Sequence, residues 1–168
     1  MDRTTTSNQA AVIELTSPGF EEGQMIPVEN TCDGHDISPE LRWAAFPGGT
    51  RSLALIMDDP DAPSGTFVHW VLYNLPIDQR GLTKNVPRDE ILPNGARQGV
   101  NDFGKVGYSG PCPPSGTHRY YFTLYALDMG LDLAPRASKA LLLKAMGNHI
   151  LAKGQLMGRY ARRRTRGC

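Results

Sequence analysis

Two stretches decide the fold: FVHWVLYNL at residues 67–75 and HRYYFTLYAL at residues 118–127. In the first, Phe67, His69, Val71, Tyr73 and Leu75 alternate with Val68, Trp70, Leu72 and Asn74. In the second, His118, Tyr120, Phe122, Leu124 and Ala126 alternate with Arg119, Tyr121, Thr123, Tyr125 and Leu127. Both faces of both runs are largely apolar, the pattern of strands covered on two sides. In each run the histidine lies at or near the start, on a face that also carries aromatic residues. Further short apolar runs at Val12–Thr16, Leu41–Ala45 and Ser52–Met57 are bounded by Gly, Pro or Asp. Runs of this length separated by turn signals argue for a mainly β fold, a sandwich rather than βαβ units.

The connections between the runs are long. The 43 residues between Leu75 and Arg119 are rich in Gly, Pro, Asn and Asp and show little periodicity; a loop of that length in a compact domain is usually functional or disordered. Helix is expected only late. Ser138 reads as an N-cap ahead of Leu142, Ala145, Met146 and His149 at helical spacing, with a weak point at Gly147-Asn148. A second helix is expected over Ile150–Ala161, although Gly154 costs it about 1 kcal/mol relative to alanine. No internal repeat is visible.

The composition fits this picture. The 168 residues suit one domain with its own core, expected over residues 11–161 between a disordered lead-in at 1–10 and a basic tail at 162–168. Glycine (18) and proline (13) together make about 18% of the chain, against an average near 12%, which is more than a helical bundle tolerates. The net charge of +1 indicates neither a polyanion binder nor an acidic solvating chain, and no specific nucleic-acid partner is expected. The first residues lack the apolar run of a secretory signal, and no stretch is long and apolar enough to span a membrane, so the expected location is cytoplasmic. Three cysteines, Cys32, Cys112 and Cys168, imply no disulfide framework. A Cys32–Cys112 pair is disfavoured by that location. Cys112 reads as a tolerated small residue rather than a reactive thiol, and Cys168 as a site of adventitious crosslinking.

Common catalytic motifs are absent. Gly107-Tyr108-Ser109-Gly110-Pro111 approaches a G-x-S-x-G elbow but has proline in the last place, and there is no phosphate loop, dinucleotide fingerprint, C-x-x-C or H-E-x-x-H. Three segments stand out instead. Asp58-Asp59-Pro60-Asp61-Ala62-Pro63 crowds three carboxylates onto a corner stiffened by two prolines. Val68-His69-Trp70 follows on the next strand. The third is a Gly/Pro loop from Ser109 to Thr117 that runs into His118-Arg119-Tyr120. Each alone has an ordinary structural reading as a turn, a core histidine or a strand connection.

Together they resemble one family. Asp59-Pro60-Asp61-Ala62-Pro63, His69-Trp70, and Gly110-Pro111 through Pro113-Pro114 to His118-Arg119-Tyr120 are similar to the motifs of the phosphatidylethanolamine-binding proteins, most closely those of the bacterial and archaeal Raf kinase inhibitor-like branch. Thr31-Cys32-Asp33-Gly34-His35-Asp36-Ile37-Ser38-Pro39 with Leu41 and Trp43, and Asn101-Asp102-Phe103-Gly104 with Gly107-Tyr108, extend the likeness over roughly residues 12–161. The resemblance implies a two-sheet antiparallel β-sandwich with a few peripheral and C-terminal helices and a small anion pocket at one end. It nominates Asp59, Asp61, His69, Gly110, Pro111, His118 and Tyr120 as ligand-binding residues, with no cofactor and no metal. The chain departs from the family pattern in placing Cys112 between the loop prolines, and Tyr160 is not assigned the role of the C-terminal pocket tyrosine of animal members. The implied partners are a small anion or phospholipid headgroup, such as phosphate or phosphoethanolamine, and a kinase or other regulated enzyme.

An anion beside Asp59 and Asp61 needs explaining, because a carboxylate and a phosphate 4 Å apart repel by about 4 kcal/mol at an effective dielectric of 20. Three arrangements relieve this: a carboxylate holding the far nitrogen of His69 or His118 to favour an imidazolium, a protonated carboxyl, or a zwitterionic ligand whose ammonium meets Asp. Backbone N–H groups of Ser109, Gly110 and Cys112 are candidates for a phosphate nest. The same Asp and His residues would also serve a hydrolase or a metal-assisted enzyme; lacking a readable nucleophile, the chain is expected not to be an enzyme. Five arginines lie between Arg159 and Cys168, leaving residues 1–158 at a net −4. The tail is expected to be solvated, with weak contact to anionic membranes as its sharper reading.

Overall fold

The computed structural model, which describes residues 11–162, arranges nine strands in two sheets. They are β1 (Ala11–Val12), β2 (Leu15–Thr16), β3 (Leu41–Trp43), β4 (Ser52–Asp59), β5 (Phe67–Leu75), β6 (Gly81–Leu82), β7 (Arg97–Gln98), β8 (His118–Leu127) and β9 (Ile150–Tyr160), with one helix, α1 (Lys139–Met146), before β9. The larger sheet runs β1-β9-β8-β4-β5-β7 and the smaller β2-β3-β6. All pairings are antiparallel except β1 with β9. The two-sheet sandwich expected from the short apolar runs is therefore present, and both deciding stretches are strands over their whole length.

Alternation along the strands builds two apolar layers. Leu53, Leu55 and Met57 of β4 and Tyr120, Phe122, Leu124 and Ala126 of β8 face the smaller sheet and join Leu15, Leu41, Trp43 and Leu82 in the main core. Ala54 and Ile56, with Val71 and Tyr73, point the other way and are covered by Leu131, Ala137, Leu142 and Met146. Each large side chain so buried contributes about 1.5–3 kcal/mol. The expected helix is α1: Ser138 Oγ accepts a hydrogen bond from Leu141 N, and Gly147 ends it at φ 39°.

Three expectations are corrected. The second C-terminal helix is instead β9, which pairs with β8 from Ile150 to Tyr160. Ala152, Gly154, Leu156, Gly158 and Tyr160 are buried while Lys153, Gln155 and Arg159 are exposed, so the period is two and not 3.6. Gly154, a liability in a helix, is here a point of close approach: a Cβ on it would stand 2.2 Å from the Ile13 carbonyl oxygen, beside the Ile13 N–H that donates to Lys153 O. Secondly, Cys32 and Cys112 form a disulfide across a sequence separation of 80, a proximity created by two loops that the sequence does not visibly relate. Thirdly, His69 does not share a face with Val71 and Tyr73. The β4–β5 register shifts between Met57↔Trp70 and Asp58↔Val68, a bulge that turns His69 toward Tyr120 while Val71 and Tyr73 stay in the second layer. The lead-in at 1–10, residues 163–168 of the basic tail and Cys168 lie outside the described residues; Arg162 pairs with Asp33.

Gly154→Ala is expected to lower the unfolding free energy by about 2 kcal/mol, because backbone is what the new methyl would strike. A change below about 0.5 kcal/mol in urea denaturation would show that the segment after β1 is not seated against β9.

Candidate functional site

The inward rows of β4 and β8 end in polar residues. Leu53, Leu55 and Met57 are followed by Asp59, and Ala126, Leu124, Phe122 and Tyr120 by His118. Both end residues remain buried, Asp59 at 3% and His118 at 7% exposure. They meet there: His118 Nδ1 donates to Asp59 Oδ2 at 2.6 Å, while Asp59 Oδ1 accepts the backbone N–H of Asp61 at 2.7 Å. The corner begun by Pro60 thus fixes one carboxylate oxygen and the histidine the other.

The bulge in β5 brings His69 into the same space. Its Nδ1 donates to Ser109 O at 2.6 Å, and Ser109 N returns a bond to His69 O at 3.2 Å, which locks the strand to the Gly/Pro loop. Because a carbonyl only accepts, His69 keeps its proton on Nδ1, and Nε2 is the nitrogen left for a ligand. The carboxylate fixes His118 in the same tautomer. Tyr120 stands between the rings, 5.3 Å from His69 edge to face and 6.3 Å from His118, stacked.

These four residues line a cavity of about 480 Å³. Its remaining wall comes from the Ala62–Phe67 turn, from Asp102 and Phe103, and from Cys112, Pro113 and Pro114. Phe67 and Phe103 meet edge to face at 4.7 Å and both contact His69, giving a polar floor an aromatic rim.

Three nominated residues do not reach the cavity wall. Asp61 faces outward, where Arg119 grips both carboxylate oxygens at 2.8 and 2.9 Å and holds its pKa down to about 2. Gly110 packs so closely on Asn30 O that a Cβ would stand 2.2 Å away, and its N–H is taken by Asp36 Oδ1 at 2.7 Å. Pro111 O accepts from Cys32 N. Gly110 and Pro111 therefore anchor the loop. Since Ser109 and Gly110 spend their N–H groups inside the protein, the expected backbone nest is not formed. Sequence reasoning did not single out Asp102 and Phe103 as site residues, although Asn101-Asp102-Phe103-Gly104 lies in the long aperiodic connection. Nor did it foresee Asp36, whose carboxylate holds the Gly/Pro loop.

Among the described residues no lysine or arginine lines the cavity. Burial pushes the His69 pKa below its ordinary value, outweighing the Ser109 carbonyl and Asp59, so its imidazole is neutral at pH 7. Burial, then the neighbouring Asp59 carboxylate, push the Tyr120 phenol well above its ordinary value, so it stays protonated. Its hydroxyl is fully buried beside the Asp59 carboxylate and makes no well-formed hydrogen bond among the described residues.

Comparison with known proteins bears on this cavity. The family model for phosphatidylethanolamine-binding protein matches residues 16–161. A UPF0098 protein of Methanothermobacter thermautotrophicus is 53% identical over 150 residues, covering 89% of this chain and 99% of that one. A UPF0098 protein of Aquifex aeolicus is 48% identical over 155 residues, with 90% of each chain covered. Among solved structures, a Chlamydia trachomatis homolog of phosphatidylethanolamine-binding protein superposes with a TM-score of 0.84 at 39% identity, over 92% of this chain and all of that one. Escherichia coli YbcL, described as a new member of the mammalian family, also gives 0.84, at 32% identity over 91% of this chain and all of its own.

Two tyrosines give a test of the unpartnered hydroxyl. Tyr108 Oη donates to Asn30 O at 2.6 Å within the core, so Tyr108→Phe is expected to destabilise by about 1–2 kcal/mol. Tyr120→Phe removes a group with no well-formed hydrogen bond among the described residues, and its unfolding free energy is expected to stay level or rise slightly. Equal losses for the two variants in denaturant titrations would show that the Tyr120 hydroxyl is bonded within the protein.

Proposed function

The chain belongs to the phosphatidylethanolamine-binding protein family, and from that premise we propose that it binds a small phosphate-bearing or other anionic group in the histidine cavity. The observation that carries this reading is the convergence of two imidazoles on one cavity, with both Nδ1 atoms already committed and both Nε2 atoms without a partner among the described residues. A ligand oxygen accepts from a protonated Nε2. With no fixed cation in the wall among the described residues, a full negative charge is accepted only together with a proton, taken up at Nε2 of a histidine. Of the three ways of reconciling anion and carboxylate, the histidine route has a partner in place, the Asp59–His118 bond. For a zwitterion such as phosphoethanolamine, Asp61 is tied to Arg119, and the ammonium falls to Asp102 at the cavity wall.

The site is read as a receptor, not a catalyst. The Asp59–His118 pair is a base with its orienting carboxylate, but among the described residues no side-chain hydroxyl or thiol is hydrogen-bonded to either cavity imidazole. Cys112, the cavity's one sulfur, is held in the disulfide. Nothing in this geometry is specific to a kinase, and the proposal is confined to the ligand. Among the described residues no helix is long and apolar enough to cross a membrane.

The sign of the pH dependence follows from His69. Its free-state pKa lies below the ordinary value and a bound anion raises it, so affinity is greatest at low pH and falls as pH rises through that interval. Calorimetric titration with sulfate, whose charge is constant across the range, is expected to show at least fivefold weaker binding at pH 8.5 than at pH 5.5, and His69→Ala is expected to flatten the curve at its weak end. A flat profile with normal binding by His69→Ala would overturn the imidazolium account. Asp102→Asn separates the ligand classes: it is expected to weaken phosphoethanolamine severalfold and to leave phosphate unchanged or slightly tighter. Equal effects on both would remove the ammonium contact.

A further inference from the structure

The disulfide occupies a position that links covalent state to the cavity wall. Cys112 lines the cavity together with Pro113 and Pro114, while Cys32 belongs to the loop that follows the 3-10 turn Val28–Asn30. The two sides of the bond are held very differently. On the Cys32 side, Thr31 Oγ1 donates to Val28 O and accepts from Asp33 N, Gly34 N donates to Thr31 O, and Ile37 N donates to Glu29 O. The Asp33 carboxylate takes Tyr160 Oη at 2.5 Å and pairs with Arg162. On the other side the Gly/Pro loop is anchored only as far as Pro111, through Gly110 N to Asp36 and Pro111 O from Cys32 N. Beyond that point, residues 112–116 form no hydrogen bond to the rest of the described residues, two of them being prolines without an N–H, until β8 begins at His118. Apart from the packing of the buried Pro113, the wall segment therefore hangs between β8 and one covalent tie. Both cysteines are half-buried rather than enclosed, so a thiol reagent reaches them from solvent.

We propose that Cys32–Cys112 is a reversible thiol–disulfide site that controls how firmly the cavity holds its ligand, an inference that rests on the anion-binding reading for its functional half. In the oxidised chain the bond presses Cys112, Pro113 and Pro114 against the cavity. A dithiol reductant opens it by exchange. One of its sulfurs, as thiolate, attacks a sulfur of the bond to form a mixed disulfide and displaces the other cysteine as thiolate. The reductant's second sulfur then attacks the mixed disulfide and frees the first cysteine. Two electrons and two protons pass to the protein, giving two cysteine thiols and an oxidised reductant. Cys32 stays in its hydrogen-bonded loop, and the 112–116 segment, with no hydrogen bond to hold it, swings away from the floor formed by His69, His118 and Tyr120. Reduction thus opens one wall and leaves the floor intact. Oxidation restores it.

The test uses the full chain with Cys168→Ser, to exclude intermolecular crosslinks, in oxidised form, after dithiothreitol, and as the further variant Cys32→Ser, which removes the tie without touching a cavity-wall residue. Three measurements are made: affinity for inorganic phosphate at pH 5.5, backbone 15N order parameters of the 112–116 segment, and amide exchange in the strands. Reduction and Cys32→Ser are both expected to weaken phosphate binding at least fivefold and to lower the order parameters at Ser115 and Gly116 to below about 0.6, with amide exchange in β4, β5 and β8 unchanged. Unchanged affinity with unchanged order parameters overturns the proposal, as does faster exchange throughout β4 and β8, which would make the bond a global staple and not a local latch. An oxidised chain that binds no phosphate at any pH overturns the anion reading instead, and the order parameters at Ser115 and Gly116 still decide whether the wall is released.

Discussion

The hydrogen bond between His118 and Asp59 is the constraint from which the site follows. A buried carboxylate is expensive unless it is paired and hydrogen-bonded, and Asp59 sits at the end of an inward-facing apolar row where strand alternation allows no escape to solvent. The same alternation on the neighbouring strand ends in His118, and the two rows terminate at the same end because β4 and β8 are antiparallel neighbours. Apolar packing of Leu53, Leu55 and Met57 against Phe122 and Leu124 thus sets the distance at which the polar pair meets. Core and site are one continuous layer, apolar in its interior and polar where it opens.

A second constraint is local. Without a bulge in β5, His69 would fall in the outer layer with Val71 and Tyr73, and the cavity would hold one imidazole. The shift between Met57↔Trp70 and Asp58↔Val68 inserts one residue and re-aims the ring, and Ser109 fixes it there from the far side. The loop that carries Ser109 is held by Asp36 and by close contact between Gly110 and Asn30. A cavity assembled from a strand end, a bulge and a loop is rigid only if each has its own anchor, and these are the anchors found.

Much of this was legible in the residues. Period-two alternation in 67–75 and 118–127 marked both central strands, and the family resemblance of the motifs marked Asp59, His69, His118 and Tyr120. What escaped reading had identifiable physical causes. Ile150–Tyr160 carries glycines that depress either secondary structure, and its alternation of Lys153, Gln155 and Arg159 with buried neighbours competes with a helical count of apolar residues. The bulge leaves no mark in one strand's sequence, because it is a property of a pair. Gly110 and Asp61 were nominated by adjacency to the right motifs, but the direction of a loop residue is set by tertiary partners, Asn30 for one and Arg119 for the other. The disulfide was set aside on an argument about compartment, which speaks to whether cysteines oxidise and not to whether they are close.

On the proposed binding reading, it matters that among the described residues no lysine or arginine lines the cavity. A guanidinium or ammonium in an empty, aromatic-rimmed hollow would have to remain charged with poor solvation, or be neutralised by a carboxylate and so lose its attraction for the ligand. On the anion-binding reading the His69 imidazole avoids both outcomes, since burial holds its pKa below the ordinary value while the site is empty and an anion makes protonation favourable. Burial of His69 widens that difference by lowering its resting pKa, while Asp59 holds His118 in the tautomer that offers Nε2. On the anion-binding reading, such a floor favours a compact ligand able to accept from a protonated Nε2 and to bring its own proton equilibrium, over a diffuse polyanion that would need fixed charge along its length.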